Sequence, residues 1–231
     1  RKMKALNSKT ATKIVRRERI IQFGEGNFLR AFVDWIISNM NEKTDFNGSV
    51  VLVKPITFGS LDMFHEQDCR YTVMLRGLVD GEAVEQSRLV TSVSDAVDAY
   101  GEYEKYAAYA KCETLRFVVS NTTEAGIVLK EDDDFNACPP VSFPAKLCKF
   151  LYERAVHFDY AQDKGLVMLP VELIDDNGII TFETGTQFKD AKDVTVWANW
   201  APNGAWFRVP MTKVGDRWRL QMGPLDGFYY Y

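Results

Sequence analysis

The sequence predicts an α/β protein, a wound parallel sheet with crossover helices, followed by a short, incomplete all-β segment. Three observations carry this reading. From Ile20 to about Ile174, short apolar runs alternate with segments of helical period. A strand runs through two glycines, Gly24 and Gly26, directly into an amphipathic helix. After Gly178 helical periodicity stops, β-favouring aromatics crowd in, and turn dipeptides such as Asn203-Gly204 and Gly223-Pro224 arrive at short intervals. The expected domains are residues 1–180 and 181–231.

The β-like runs of the first part are Ile20 to Phe23, Val50 to Val53, Leu115 to Val119 and Leu166 to Leu169. Between the first two, Phe28, Phe32 and Ile36, with Leu29, Val33 and Ile37, recur every four residues and predict one broad apolar helix face, completing a βαβ unit. Tyr71 to Leu75 and Ala83 to Leu89, on either side of Asp80-Gly81, predict a hairpin. A helix is expected to start near Pro144, where proline suits the first turn, and to carry Leu147, Phe150 and Leu151.

With 46% hydrophobic residues, the chain can bury a core as one large or two modest domains. The formal charge of −4 comes from nearly balanced acids and bases without a basic block. Nothing is arranged to neutralise a phosphate backbone, so nucleic acid is not an expected partner. The basic start Arg1-Lys2-Met3-Lys4 runs into polar residues, and no stretch is apolar for long enough to cross a bilayer. A cytoplasmic protein without a membrane partner is expected, with Met3 as its natural start. Cys69, Cys112, Cys138 and Cys148 share no C-x-x-C spacing and read as reduced thiols. The run Glu131 to Asp134 reads as a solvated charge cluster, and His65 and His157 lack spaced partners, so no metal is expected. Oligomeric state stays open.

The chemical signal is Ile20-Ile21-Gln22-Phe23-Gly24-Glu25-Gly26-Asn27-Phe28-Leu29-Arg30. Gly24 permits a tight turn, and Gly26 lets backbone N–H groups approach a pyrophosphate at the positive end of a helix, as in a Rossmann-like dinucleotide-binding domain. Leu29 stands where the usual third glycine would be, and a plain tight turn is the competing reading. The second strand ends on Lys54 where a dinucleotide site often has an acid for the ribose. That cation suits the extra phosphate of NADP, or it is a solvated residue at a strand end.

Three separated segments, Gly24 to Trp35, Ser120-Asn121-Thr122-Thr123-Glu124-Ala125-Gly126-Ile127 and Pro170-Val171-Glu172-Leu173-Ile174-Asp175-Asp176-Asn177-Gly178, resemble the mannitol dehydrogenase family of long-chain polyol-type dehydrogenases, in its tagaturonate reductase branch. The resemblance runs from about Met3 to Gly178. It implies an NAD-dependent oxidoreductase that moves hydride between NAD(H) and the D-tagaturonate/D-altronate pair, a small sugar-acid substrate of hexuronate catabolism. It places Gly24, Gly26, Asn27 and Phe28 in the first phosphate-binding turn, with Arg30 one turn inside. Phe28 packs the helix on the sheet or touches cofactor. Lys54-Pro55 is similar to the branch's basic residue followed by proline. Ser120, Asn121 and Thr122 would hold the nicotinamide ribose, or the segment simply caps the next helix through Thr122 or Thr123. Glu124, Glu172 and Asn177 are the substrate-site candidates; Leu173 stands where other polyol dehydrogenases carry the Asn of an Asp-Asn pair. The family's general base is a lysine in a K-x-x-x-x-N-x-x-H pattern on a following helical domain, and nothing after Gly178 supplies it. The expectation is a cofactor-binding fragment with little turnover by itself.

Val194 to Trp200, Val209 to Thr212, Asp216 to Leu220 and Gly227 to Tyr231 resemble the early-set immunoglobulin-like domain of carbohydrate-active esterases, without its closing strands. Trp197, Trp200, Trp206 and Trp218 stack on sugar rings or fill a small core. Two rival readings follow: a carbohydrate-binding or linker module, and a chimeric join of two unrelated fragments near Asn177-Gly178-Ile179.

Overall fold

Strand β1 (Arg17–Phe23) ends in four consecutive buried residues, and every residue of β2 (Gly48–Lys54) is buried. Runs buried on both faces belong to the centre of a parallel sheet covered on both sides. The computed structural model describes residues 6–7, 9–12, 14–79, 81–128, 130, 132–172, 180–184, 186–198, 207–222 and 229–230. Within them the chain forms two compact units, Arg1–Glu172 and Leu173–Tyr230.

The first unit continues through α1 (Asp34–Lys43), α2 (Asp62–Glu66), β3 (Tyr71–Val79), β4 (Glu82–Val90), β5 (Val93–Asp98), α3 (Tyr103–Ala108), β6 (Phe117–Ser120), α4 (Phe143–His157) and β7 (Leu166–Pro170). Five of its strands lie in the order β7-β6-β1-β2-β5, all parallel, and β3 and β4 form a separate antiparallel pair. The chain winds outward from β1 to β2 and β5, then returns to β6 and β7 on the other side. The order therefore reverses at β1, and the carboxyl ends of β1 and β6 flank a topological switch point. Alternation along the strands feeds two cores. Ile20, Val50 and Leu52 pack with Leu29 and Phe64 on one face, and Ile21, Phe23, Val51 and Val53 with Tyr106 and Phe150 on the other.

The four apolar runs form strands, and β3 and β4 pair antiparallel as the expected hairpin, with Val79 opposite Glu82; Asp80 lies outside the described residues. β5 has no counterpart in the sequence reading, because its Ser and Asp residues break the apolar run. Helix α4 begins one residue before Pro144, with Ser142 Oγ accepting from the Ala145 N–H at 3.3 Å.

The helix after the glycines differs from expectation. Leu29–Val33 is a π-helical turn; Leu29, Asp34 and Ser38 are fully buried, and of the expected apolar face Val33 and Ile37 also pack against the core, half-buried. The extra residue in that turn shifts the helical phase. Phe28 and Phe32, expected on the apolar face, are 48% and 49% exposed and stack on each other with ring centroids 5.3 Å apart. In the acidic run Asp132 and Asp134 are exposed, and Asp133 accepts from the N–H groups of Val141 and Ser142, both at 2.7 Å; Glu131 lies outside the described residues. This surface carboxylate therefore also anchors the loop before α4 through two charge-assisted hydrogen bonds.

Among its described residues the second unit is built of strands, β8 (Ile180–Glu183), β9 (Thr195–Ala198), β10 (Phe207–Pro210), β11 (Thr212–Val214), β12 (Arg217–Met222) and β13 (Tyr229–Tyr230), with one 3-10 turn at Thr186–Phe188. β9 and β10 form one antiparallel pair, and β11, β12 and β8 form a three-stranded antiparallel sheet. Trp218 is buried here, and its indole N–H donates to the Phe188 carbonyl at 3.1 Å, so this tryptophan is core. Trp200, Trp206 and the turns at 203–204 and 223–224 lie outside the described residues, as does the Trp197 side chain. Among the described residues no helix is long and apolar enough to cross a membrane.

Candidate functional site

The carboxyl ends of β1, β2 and β6 open into a cleft of about 360 Å³. Gly24, Glu25 and Gly26 form its floor at the end of β1, and Pro55, Ile56 and Phe58 form a wall after β2. Asn121, Thr122, Thr123 and Gly126 close the side after β6. Phe23, Val128, Lys130, Val141, Ser142 and Phe143 complete the lining.

The two glycines do different work. Gly24 sits at φ +117°, and its N–H donates to the Val53 carbonyl at 2.9 Å, tying β1 to β2 as the chain turns. A Cβ there would meet Leu29 Cδ1 at 3.1 Å, so both conformation and space demand glycine. At Gly26 a Cβ would meet nothing within 4 Å. The space beside the helix start is open where an anion would approach backbone N–H groups. The Gly26 carbonyl accepts from the Arg30 N–H at 3.1 Å, so the helix begins at this glycine.

The β6 side is held to the end of β7. Asn121 Nδ2 donates to the Val171 carbonyl at 2.7 Å, the Val171 N–H to the Ser120 carbonyl at 2.9 Å, and the Thr122 N–H to Glu172 Oε1 at 3.3 Å. Glu172 is buried, so this candidate positions the Thr122 backbone. Thr122 Oγ1 is buried without a hydrogen-bond partner, a polar atom awaiting one at the cleft. The turn after it, Glu124–Ile127, has Thr123 at its N-cap position with no side-chain cap bond. Behind the far wall, Lys146 donates to the Val141 carbonyl and to the Tyr100 hydroxyl. Burial pushes its ammonium down to about 8, against the attraction of Asp133.

Of the sequence candidates, Gly24, Gly26, Asn121 and Thr122 come together in the lining, while Ser120 and Glu172 stand directly behind it. Asn27 and Phe28 lie on the exposed start of the helix. Arg30 turns away: its guanidinium donates to Asn27 Oδ1 and sits 5.7 Å from the Phe64 ring centroid and 5.9 Å from that of Tyr71. Lys54 is buried and bonded to Asp98 at 2.9 Å. The Glu124 side chain and Asn177 lie outside the described residues. Sequence reasoning missed Glu25, the Pro55 to Phe58 wall and the Val141 to Phe143 wall. The X-Pro step after an apolar strand was a signal for the first wall; the second comes from a distant segment and left none.

A family model described as the mannitol dehydrogenase Rossmann domain matches residues 18–201. Altronate oxidoreductase of Phocaeicola vulgatus is 50% identical over 188 residues, covering 81% of this chain and 39% of that protein. Altronate oxidoreductase of Pectobacterium carotovorum is 46% identical over 202 residues, covering 85% and 41%. The chain thus spans about two fifths of the length of these curated relatives. Among solved structures, the Pseudomonas fluorescens mannitol 2-dehydrogenase ternary complex with NAD and D-mannitol superposes with a TM-score of 0.61 at 15% identity, covering 98% of this chain and 56% of that one. A substrate-free D-sorbitol dehydrogenase gives 0.57 at 17% identity, covering 76% and 40%. A glycine turn at the switch point of a parallel sheet, reached independently by sequence and by fold, places this chain in the mannitol dehydrogenase family, to which it belongs through its Rossmann domain.

Proposed function

We propose that the cleft binds NAD(H), and that the chain contributes this site to an oxidoreductase interconverting D-tagaturonate and D-altronate by hydride transfer. In this reading residues 1–180 are the cofactor-binding domain and residues 181–231 a separate β segment. The observation that carries it is the glycine turn at the switch point, with open space at Gly26 and the first helical turn starting on the Gly26 carbonyl. The names of relatives 46% to 50% identical support the substrate pair.

The residues present fit a dinucleotide. Gly26 lines the cleft at the start of the helix with open space beside it, which suits a pyrophosphate at the positive helix end, and the apolar Ile56 and Phe58 wall suits a flat base. The buried, unpartnered Thr122 hydroxyl and the Asn121 segment suit the ribose nearer β6. When bound, the nicotinamide ring supplies the hydride. This chain's own part is to orient it: Glu172 fixes the Thr122 backbone, and Asn121 locks the β6 loop to the β7 end.

The test is a fluorescence titration of the purified chain with NADH, repeated after Gly26→Asp. A Cβ at Gly26 meets nothing, so the variant is expected to fold. Its carboxylate stands against the pyrophosphate and should abolish saturable binding. Failure of the folded wild-type chain to bind NADH, or unchanged binding by Gly26→Asp, would overturn the reading. The substrate part is read from the NADH complex: D-tagaturonate is expected to alter its fluorescence and D-mannitol to leave it unchanged.

A further inference from the structure

Lys54 and Asp98 end neighbouring parallel strands and stand opposite each other in register. Lys54 is 2% exposed, and its ammonium reaches Asp98 Oδ2 at 2.9 Å, the Ile56 carbonyl at 2.9 Å and the Phe58 carbonyl at 3.5 Å. An ammonium has three donors, and all three are engaged inside the protein. Asp98 is fixed in turn, its Oδ1 accepting from the Tyr100 N–H at 3.0 Å. Burial pushes the Asp98 carboxyl up, but hydrogen bonds from Lys54 and from the Tyr100 and Gly101 backbone outweigh it and hold the group below its usual range.

The end of the second strand is where a dinucleotide fold meets the adenosine ribose, and a 2′-phosphate there requires a cation facing the ligand. The cation that the sequence offers at this place faces inward. What faces the cleft from the adjoining turn is Glu25. Burial raises its carboxyl, while Lys54 and Arg30 attract it and Asp98 repels it, so it lies within electrostatic reach of the pair. Arg30 is taken up by Asn27 and by the faces of Phe64 and Tyr71.

Resting on the dinucleotide reading above, we propose that the Lys54–Asp98 pair and Glu25 select a dinucleotide with a free 2′-hydroxyl over one carrying a 2′-phosphate. Lys54 is a positioning residue: it holds the carbonyls of the Pro55 to Phe58 wall and, neutralised by Asp98, leaves no positive charge for a phosphate. Glu25 adds repulsion towards a dianion and an acceptor for a hydroxyl. Lys130, the cleft-lining cation among the described residues, stands on the segment after β6 rather than on the turn that follows β2.

The experiment is a pair of titrations, NADH and NADPH at one ionic strength, on the wild-type chain, Asp98→Asn, Glu25→Gln and Lys130→Gln. The wild type is expected to favour NADH by roughly tenfold or more. Asp98→Asn frees the Lys54 ammonium, Glu25→Gln removes the repulsion, and each should narrow the preference by roughly threefold. Lys130→Gln should shift both affinities alike. Equal affinity in the wild type, an unchanged ratio in folded Asp98→Asn, or a ratio moved only by Lys130→Gln overturns the proposal. If Asp98→Asn does not fold, Glu25→Gln decides by the same criterion. These results differ from a failure of the dinucleotide reading, in which the folded wild-type chain binds neither nucleotide and both proposals fall.

Discussion

The Tyr71 hydroxyl donates to Asp34 Oδ2 at 2.7 Å inside the core, while Asp34 Oδ1 has no partner. Burial pushes the Asp34 carboxyl up to about 7, although hydrogen bonds from Tyr71 and Gln22 and the charge of Arg30 pull it back. The folded state therefore keeps a proton that the unfolded chain releases near pH 4. The stability linked to this proton is complete below about pH 4 and is lost as pH rises towards 7, a change on the order of 4 kcal/mol. Asp34→Asn keeps an acceptor for Tyr71 and has no proton to lose. Urea midpoints at pH 5 and pH 8 should fall with pH in the wild type and differ much less in the variant. Equal slopes would refute the assignment.

Gly24→Ala should destabilise the chain by about 2 kcal/mol, because its φ of +117° strains any L side chain and Leu29 Cδ1 stands 3.1 Å from the new methyl. Thermal unfolding of Gly24→Ala beside Gly26→Asp separates the two glycines. The first variant should melt earlier, and the second should melt near the wild type while losing NADH.

Glu172→Ala removes the acceptor for the Thr122 N–H, whereas Glu172→Gln retains a carbonyl oxygen that can take it. NADH affinity should fall roughly tenfold in the first variant and roughly threefold or less in the second. Equal losses in the two would place the importance of Glu172 in its charge rather than in this bond.

Arg154 is buried and donates to four carbonyls, those of Ala110, Cys112, Leu115 and Lys164. Arg154→Met fills similar volume but leaves those acceptors without their donor, at a cost of about 3 kcal/mol. Chemical denaturation measures it. A loss under about 1 kcal/mol would mean that water replaces the guanidinium.

Helix α1 shows how far a periodic pattern reaches. Phe28, Phe32 and Ile36 repeat as a helix face should, yet the π-helical turn moves Asp34 and Ser38 to the inside and leaves Phe28 and Phe32 outside. Periodicity assumes an unbroken i to i+4 ladder, and one extra residue rotates everything before it relative to everything after. Asp98 was illegible for another reason. β5 is rich in Ser and Asp, and only its pairing with β2 reveals that it is a strand and that its last residue reaches Lys54.

The sequence by itself determined the α/β character of the first unit, the glycine turn, the hairpin, the start of α4 and the change to β structure after Gly178. Each rests on neighbours within a few residues, where backbone geometry and side-chain alternation act locally. Only the tertiary structure decided which charges remain available. Lys54, a candidate phosphate ligand in the sequence, is neutralised by a residue on the next strand, and Glu172 is directed to the Thr122 backbone across the β6 and β7 ends. A side chain's charge is fixed by composition, but its use is fixed by the partner that folding places beside it, here at 2.9 Å for Lys54 and 3.3 Å for Glu172.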